Sequence, residues 1–420
     1  MRTVEFDDQL KQRLAELRDQ GLYRQLRRVD SGQSSRICVQ GEMLLNFSSN
    51  DYLGLANETV LKDAAIEAVN RYGAGAGASR LICGSLNPHH ELDQNIAQFK
   101  NAPAALSFSS GYAAALGTIC ALLGKSDIII LDKLVHACIV DAARLCGARI
   151  RVFAHNDLND LERILRWVQQ QQSQSADSRA LVLTESVFSM DGDFAPLKEL
   201  VALKNRYGVW LMVDEAHATG LYGKDRRGMA EALGVSEQIE VQMGTLGKAL
   251  GASGGYVCGS QSLIEYLVNR SRSFIFSTAP VPAAAAAATA GIRFVQSSDG
   301  EERRNNLWQR AAELASRLRE TTHARFEIAR SSRESGTNVS DGPELPGAIF
   351  PLIVGDESKA VEISRHLRER GIFIPAIRYP TVARGSARLR LTLTAAHTSD
   401  DINTLCRALD SLQLSNPQPQ

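Results

Sequence analysis

The sequence predicts an α/β fold, a mostly parallel sheet covered by helices on both faces and followed by a smaller α/β domain. Short apolar runs alternate with helical patterns from residue 50 to about 290. The runs recur about 25 to 30 residues apart, the spacing of βαβ units. A second, shorter alternation fills the chain after residue 290.

Length and composition fit that plan. With 420 residues and 44% hydrophobic content, the chain can bury one large core and one smaller one. Lys plus Arg number 47 and Asp plus Glu number 47, so no global field draws the chain to nucleic acid or to an anionic membrane, and small molecules are the expected partners. Seven cysteines stand singly at 38, 83, 120, 138, 146, 258 and 406, without a CxxC pair or a His/Cys cluster at metal-ligand spacing. Reduced thiols, a cytoplasmic location and no metal are expected. No apolar run approaches the roughly 20 residues of a membrane span, and the charged N-terminus has no leader pattern.

Residues 1–49 read as an N-terminal arm, a charged helix with Leu10, Leu14 and Leu17 at helical spacing and then a short strand near MLLNF. Residues 50–290 form the large domain, whose strands are read in IIILD (128–132), RIRVFAH (149–155), ALVLTES (180–186), WLMVDEAH (210–217) and IEVQMG (239–244). Ligands in such sheets lie beyond the carboxyl ends of the strands, so the polar residues closing each run are the ones to inspect. Residues 291–420 form the small C-terminal domain, with AIFPLIV, a helix from about 358 to 370, RLRLTLT and a terminal helix. The polar stretches 169–178 and 331–347 read as solvated loops.

Candidate chemistry sits at those run ends. Lys248 lies in GTLGKALGASGG just after a buried strand, where glycines permit close backbone approach. By itself the segment reads equally as a glycine turn with a solvated lysine. It is not a phosphate-binding GxxxxGK[ST] loop, because Gln242 and Ala249 occupy the positions that motif reserves for Gly and Ser/Thr. VDEAH puts Asp214 and His217 at a strand's end, either as a site or as a capping aspartate beside a packed histidine. A buried carboxylate there suits a pyridine nitrogen that has to stay protonated. In FSSGYAAALG, a helix starting near Tyr112 offers free backbone N–H groups to an anion. His136 opens a helix, as a ring that stacks on a planar cofactor or as a plain cap. GAGAGASR (73–80) has GxGxG spacing and no strand before it, which disfavours a dinucleotide site and suits a loop bordering one. Arg378 and the arginines of RLRLTLTAAH are placed to pair with a carboxylate or to be solvated.

Taken in order, these features resemble a family. NFSSNDYLGL, SFSSGYAAALG, HACIVDAARL, FAHND, ESVFSMDGD, VDEAHATGLYG, GTLGKALG, SRSFIFSTAP, PLIVGD and PTVARGSARLRLTLTAAH are similar to the motifs of the α-oxoamine synthases, across residues 20 to 410. These are pyridoxal 5'-phosphate (PLP) enzymes that condense an amino acid with an acyl thioester and release carbon dioxide. The resemblance implies the PLP-dependent transferase fold type I, with a seven-stranded, mostly parallel sheet in the large domain, and a homodimer with shared active sites.

It also implies residue roles. Lys248 would carry the Schiff base, Asp214 would face the pyridine nitrogen, His136 would stack on the ring, and His217 would hydrogen-bond the phenolic oxygen. Gly111 and Tyr112 would meet the phosphate, Ser189 and Thr245 would complete the pocket, and Ser277 or Thr278 would reach it from the other subunit. Asn50, Thr381, Arg390 and Arg24 match substrate-contacting positions, with Arg390 as the clamp on the amino-acid carboxylate. FAHND, VFSMDGDFAPL and FIFSTAP are most similar to the biotin-pathway branch, which takes L-alanine and a pimeloyl thioester; sister branches take glycine or serine. Two departures, Ala78 in GASR and Ala383 in PTVA, add a methyl near the expected cofactor edge and loosen a loop near the expected clamp.

Overall fold

Ile128–Asp132 and Ala180–Glu185 are buried along their whole length. A strand without one exposed residue needs cover on both faces, and the surrounding helices supply it. In the computed structural model, which describes residues 2–173, 178–321, 327–328 and 347–412, the chain forms two units.

The larger unit is built on residues 50–305. Its seven-stranded sheet runs in the order Ala104–Phe108, Gly255–Gly259, Val241–Thr245, Trp210–Asp214, Ala180–Glu185, Ile128–Asp132 and Arg149–Phe153. All neighbours pair in parallel except Gly255–Gly259, which is antiparallel to both of its partners. The five strands read from apolar runs are all present. Gly255–Gly259 was not among them, because its GYVCG sequence carries two glycines and follows the previous strand too closely for a βαβ crossover.

Helices pack on the sheet through small residues. Gly111–Leu122 buries Ala114, Ala115 and Ile119 against Leu106, Ile129 and Met243. A Cβ at Gly117 would stand 2.0 Å from Ser271 Oγ, so this helix approaches its neighbour at a distance only glycine allows. Leu158–Gln172 is capped by Asp157, which accepts the N–H groups of Asn159 and Asp160, and it buries Leu161, Ile164, Leu165 and Val168. That apolar stripe carries the helix through residues 169–172, which the polar composition had suggested as loop. Residues 174–177 and 331–346 of the expected loops lie outside the described residues.

The smaller unit combines the first 49 residues with 306–321 and 347–412. The N-terminal segment is therefore part of this unit and not a separate arm. The reason is backbone pairing, because Glu42–Asn46 joins Ile372–Phe373 in parallel with Leu45 opposite Ile372. The boundary between units falls after residue 305, inside the helix Ser298–Thr321, and not at 290. Ile349–Gly355 and Ala387–Thr392 pair antiparallel in this unit's main sheet, with the helices Glu357–Glu369 and Ser399–Asp410 following them in sequence. Leu10, Leu14 and Leu17 lie on the predicted N-terminal helix, Arg2–Asp19, and all three are exposed.

Candidate active site

The carboxyl ends of two adjacent strands bring two acids together. Glu185 and Asp214 are opposite each other in the parallel register, and both are buried. Asp214 Oδ1 accepts the Ala216 N–H at 2.9 Å. Glu185 Oε2 accepts the Ser189 N–H at 3.1 Å, while Glu185 Oε1 is buried without a hydrogen-bond partner. Burial raises both carboxyls above the usual range. The charge of Asp214 adds to this at Glu185, pushing it up to about 8, whereas Lys248 pulls Asp214 back down. Burial and mutual repulsion thus disfavour two charges on this pair, and the Lys248 charge favours the ionised form of Asp214.

Lys248 stands on the turn after Val241–Thr245. This turn is closed by backbone bonds from Ala252 N–H to Leu246 O and from Gly251 N–H to Lys248 O, each 2.9 Å. Its Nζ lies 2.7 Å from His217 Nε2. The other ring nitrogen, Nδ1, lies 2.6 Å from the hydroxyl of Tyr52, and that hydroxyl is 3.4 Å from Asn50 Oδ1. The loop bearing Asn50 and Tyr52 is held by Asp51, whose carboxylate accepts the N–H groups of Leu55 and Ala56.

The expected phosphate turn has the required shape. Ser110 caps Gly111–Leu122 through its Oγ, which accepts the Ala113 N–H at 3.1 Å. The first-turn N–H groups of Gly111 and Tyr112 have no acceptor within the helix. A Cβ on Gly255 would lie 2.5 Å from Gly111 N, so the neighbouring strand can support this turn only as glycine. Thr245 borders the turn; its Oγ1 donates to Gly254 O and accepts the Gly247 N–H. The Tyr112 phenol donates to Asp141 at 2.8 Å, leaving only its backbone for an anion.

His136 is the helix cap that was one of its two readings. Its Nδ1 accepts the Cys138 N–H at 3.2 Å, which makes it the cap of Ala137–Cys146, with Cys138 Sγ at 3.0 Å; the ring itself remains exposed. Behind it, His155 bridges two carboxylates, Asp132 Oδ1 at 2.9 Å and Asp193 Oδ2 at 2.7 Å. This bridge joins the turn before His136 to the loop that carries Ser189.

Other predicted residues are placed elsewhere. Ser277 and Thr278 lie against the glycine loop, where Thr278 pairs with Ser79 and Ala279 N–H reaches Ala78 O. In the smaller unit Arg390 is buried on Ala387–Thr392, opposite Pro351, and Thr381 is exposed. Arg24 donates to Tyr379 O at 3.0 Å. Arg378, read as a candidate for a carboxylate, donates to the carbonyls of Gly21 and Tyr23 and so ties the N-terminal segment down. Tyr52, Glu185, Cys138 and the His155 bridge were missed. Each lies inside a motif quoted for the family; the partners of Tyr52 and His155 are distant in sequence, that of Glu185 is hidden by cross-strand register, and Cys138 meets His136 two residues away.

A buried acid, an exposed imidazole face, a glycine-backed helix start and a lysine in one unit fit the donor set PLP requires: a pyridinium partner, a stacking ring, a phosphate cradle and a Schiff-base amine. Comparison with known proteins agrees. Residues 42–409 match the family Aminotransferase class I and II. An 8-amino-7-oxononanoate synthase from Geobacter sulfurreducens is 45% identical over 396 residues, covering 94% of this chain and 95% of its own. One from Thermoanaerobacter pseudethanolicus is 41% identical, covering 96% of each chain. Among solved structures, a serine palmitoyltransferase from S. paucimobilis with a bound PLP–myriocin aldimine superposes with a TM-score of 0.86 at 29% identity, covering 97% of each chain. An 8-amino-7-oxononanoate synthase from Francisella tularensis gives 0.70 at 26% identity, covering 87% of this chain and 97% of that one. The chain belongs to the class I and II aminotransferase family and, within it, to the 8-amino-7-oxononanoate synthases.

Proposed function

We propose that the chain condenses L-alanine with a pimeloyl thioester, releasing carbon dioxide and free thiol, to give 8-amino-7-oxononanoate for biotin synthesis. The observation that carries this reading is the Lys248–His217 contact of 2.7 Å in the same strand-end site as buried Asp214, in a chain 41 to 45% identical to synthases of that name. Bound through Lys248, PLP supplies the electron sink that cleavage of an amino acid's α-C–H bond requires.

The chain's own residues do the rest. Lys248 Nζ, released when the amino acid takes its place, removes the α-proton and later returns one to the product carbon. Asp214 keeps the pyridine nitrogen protonated by charge pairing. His136 supports the ring face, and the N–H groups of Gly111 and Tyr112 hold the phosphate, with Ser189 and Thr245 beside them. His217 Nε2 donates to the phenolic oxygen and, as charge develops on the thioester carbonyl, offers a donor worth about 3 kcal/mol. Arg390 is assigned to the carboxylate, and Asn50, Thr381 and Arg24 to substrate contacts, on the family motifs they match.

We further propose a cytoplasmic homodimer in which Ser277 or Thr278 completes the partner's cofactor pocket. Phe276 and Ile82, 70% and 78% exposed, flank the paired Ser79–Thr278 loops and suit a subunit interface. Sedimentation at twice 45.7 kDa is the expected result. All seven cysteines are free, and no helix among the described residues is long and apolar enough to cross a membrane.

The higher TM-score to the serine palmitoyltransferase favours one second reading, a sister synthase that takes serine. Fold likeness does not fix substrate. Thiol release with alanine, glycine and serine, each against pimeloyl, acetyl, succinyl and palmitoyl thioesters, separates the two. Alanine with pimeloyl should dominate, and preference for serine with a long acyl chain would replace the proposal. Lys248→Ala should bind PLP without the visible Schiff-base band and lose turnover.

A further inference from the structure

Tyr52 has no part in the roles given above, yet its hydroxyl is the innermost member of a chain that ends on Lys248. The side chain is 1% exposed, and its ring meets that of His217 edge-on, with centroids 6.0 Å apart. The hydroxyl lies 2.6 Å from His217 Nδ1, and His217 Nε2 lies 2.7 Å from Lys248 Nζ. The imidazole is held at both nitrogens, so its proton has two places to sit.

Distance and chemistry select one of them. N–H···O bonds span about 2.7–3.2 Å, whereas hydroxyl donors form bonds as short as about 2.5 Å. The 2.6 Å contact is shorter than the N–H···O range, which disfavours the ring nitrogen as donor. The phenol is also the stronger acid of the two neutral groups and the natural donor. If the tyrosine instead accepted from Nδ1–H, Nε2 would present a lone pair and hold Lys248 as an ammonium, the form that can neither condense with an aldehyde nor take a proton. We infer that Tyr52 is a positioning residue that donates to His217 Nδ1 and thereby locks this histidine in the Nε2–H tautomer, a fixed proton donor aimed at the reacting end of the site.

His136, Lys248, Asp214 and Glu185 belong to the same strand-end cluster, with Cys138 and Glu215 acting on it and Tyr222 acting on Tyr52. Asn50 Oδ1, at 3.4 Å, is a weaker second acceptor for the same hydroxyl. A substrate that engages Asn50 leaves the Tyr52–His217 bond unopposed.

The inference rests on the PLP reading of the site, and its test separates the two. In protein labelled with 15N-histidine, with and without PLP, His217 Nδ1 should show the shift of an unprotonated nitrogen and Nε2 that of a protonated one. The reverse pattern would overturn the inference, and this readout needs neither turnover nor cofactor. In the holoenzyme, Tyr52→Phe removes the hydroxyl that meets Nδ1. It should raise the pH midpoint of the visible cofactor band by about one unit, because a weakened His217 donor would leave the bound group more basic. It should also lower kcat about tenfold with KM for alanine within about twofold, the pattern of an interaction used after binding. In a His217→Gln background, whose amide has no tautomer, the same substitution should change neither. An unshifted midpoint, or full additivity of the two substitutions, would refute the lock. Should Tyr52→Phe fail to hold PLP, the nitrogen shifts of the unmodified protein still decide.

Discussion

His155 is the point at which the site's scaffold should respond to pH. Burial lowers its basicity, but hydrogen bonds and charge from Asp132 and Asp193 more than offset this and raise it from 6.5 to about 10. At about 1.4 kcal/mol per pH unit, that shift sets a ceiling of about 5 kcal/mol for the stabilisation of the native state by the imidazolium. The ring is 24% exposed, so water screens the bridge and about half the ceiling, some 2–3 kcal/mol, is expected. Because the folded value lies above the unfolded one, the stabilisation is complete below pH 6.5 and declines as pH rises towards 10. His155→Gln removes the charge and keeps a donor. The stability gap between wild type and variant in urea unfolding should be widest near pH 6 and close by about pH 10. The His155 ring resonance should remain that of an imidazolium above pH 8. A gap independent of pH, or a ring that titrates near 6.5, would show that the bridge is uncharged and the reasoning wrong.

Three further outcomes follow from the site. Glu185→Gln is isosteric with the neutral acid and should hold PLP within about threefold of wild type, by equilibrium titration of the apo-protein; a loss beyond about tenfold would mean that Glu185 is ionised. Gly255→Ala forces a methyl to within 2.5 Å of Gly111 N and should weaken PLP binding about tenfold or more while leaving the fold intact by circular dichroism. Asp214→Asn should retain cofactor but lose at least about a hundredfold in α-proton exchange measured by loss of deuterium from labelled alanine, and wild-type exchange would refute its role as the pyridinium partner.

The parts of the fold legible in sequence were those where a local period matches a burial pattern. IIILD, ALVLTE and WLMVD were legible as strands because each opens with four consecutive apolar residues and closes on a polar one, at βαβ spacing. Gly255–Gly259 was not, since its direction and its place between two other strands come from the tight reversal after Lys248. The N-terminal segment was read as an arm because its ties, such as Leu45 opposite Ile372 and Arg378 on Gly21 and Tyr23, span more than 300 residues. Within the site, Lys248, Asp214, His136 and His217 were visible as reactive types at run ends. Tyr52 reads as one more apolar residue of NDYLGL until its hydroxyl is found against His217. Glu185 looked like the first residue of a motif, and only the register of two parallel strands sets it beside Asp214.

That register also explains how three carboxylates at the ends of neighbouring strands come to different fates. Glu215, next to Asp214 in sequence, points away from the site and pairs with Lys100 Nζ at 2.5 Å, both side chains being fully buried. Its other oxygen accepts the Ala230 N–H. A buried ion pair with both carboxylate oxygens engaged offsets part of its desolvation cost, so Glu215 with Lys100 anchors the strand end. Glu185 receives the Ser189 N–H and a share of the Lys248 field, but burial beside Asp214 outweighs them and favours its neutral form. Asp214 has one backbone donor and the field of Lys248, a lysine that the reaction itself removes from this position by binding cofactor. Its remaining attraction is then available to a positively charged ring nitrogen, and the neutral Glu185 beside it does not compete. Replacing Glu185 by an ionised group, or giving Asp214 a permanent lysine, would each satisfy the local electrostatics better and leave the cofactor with less to bind.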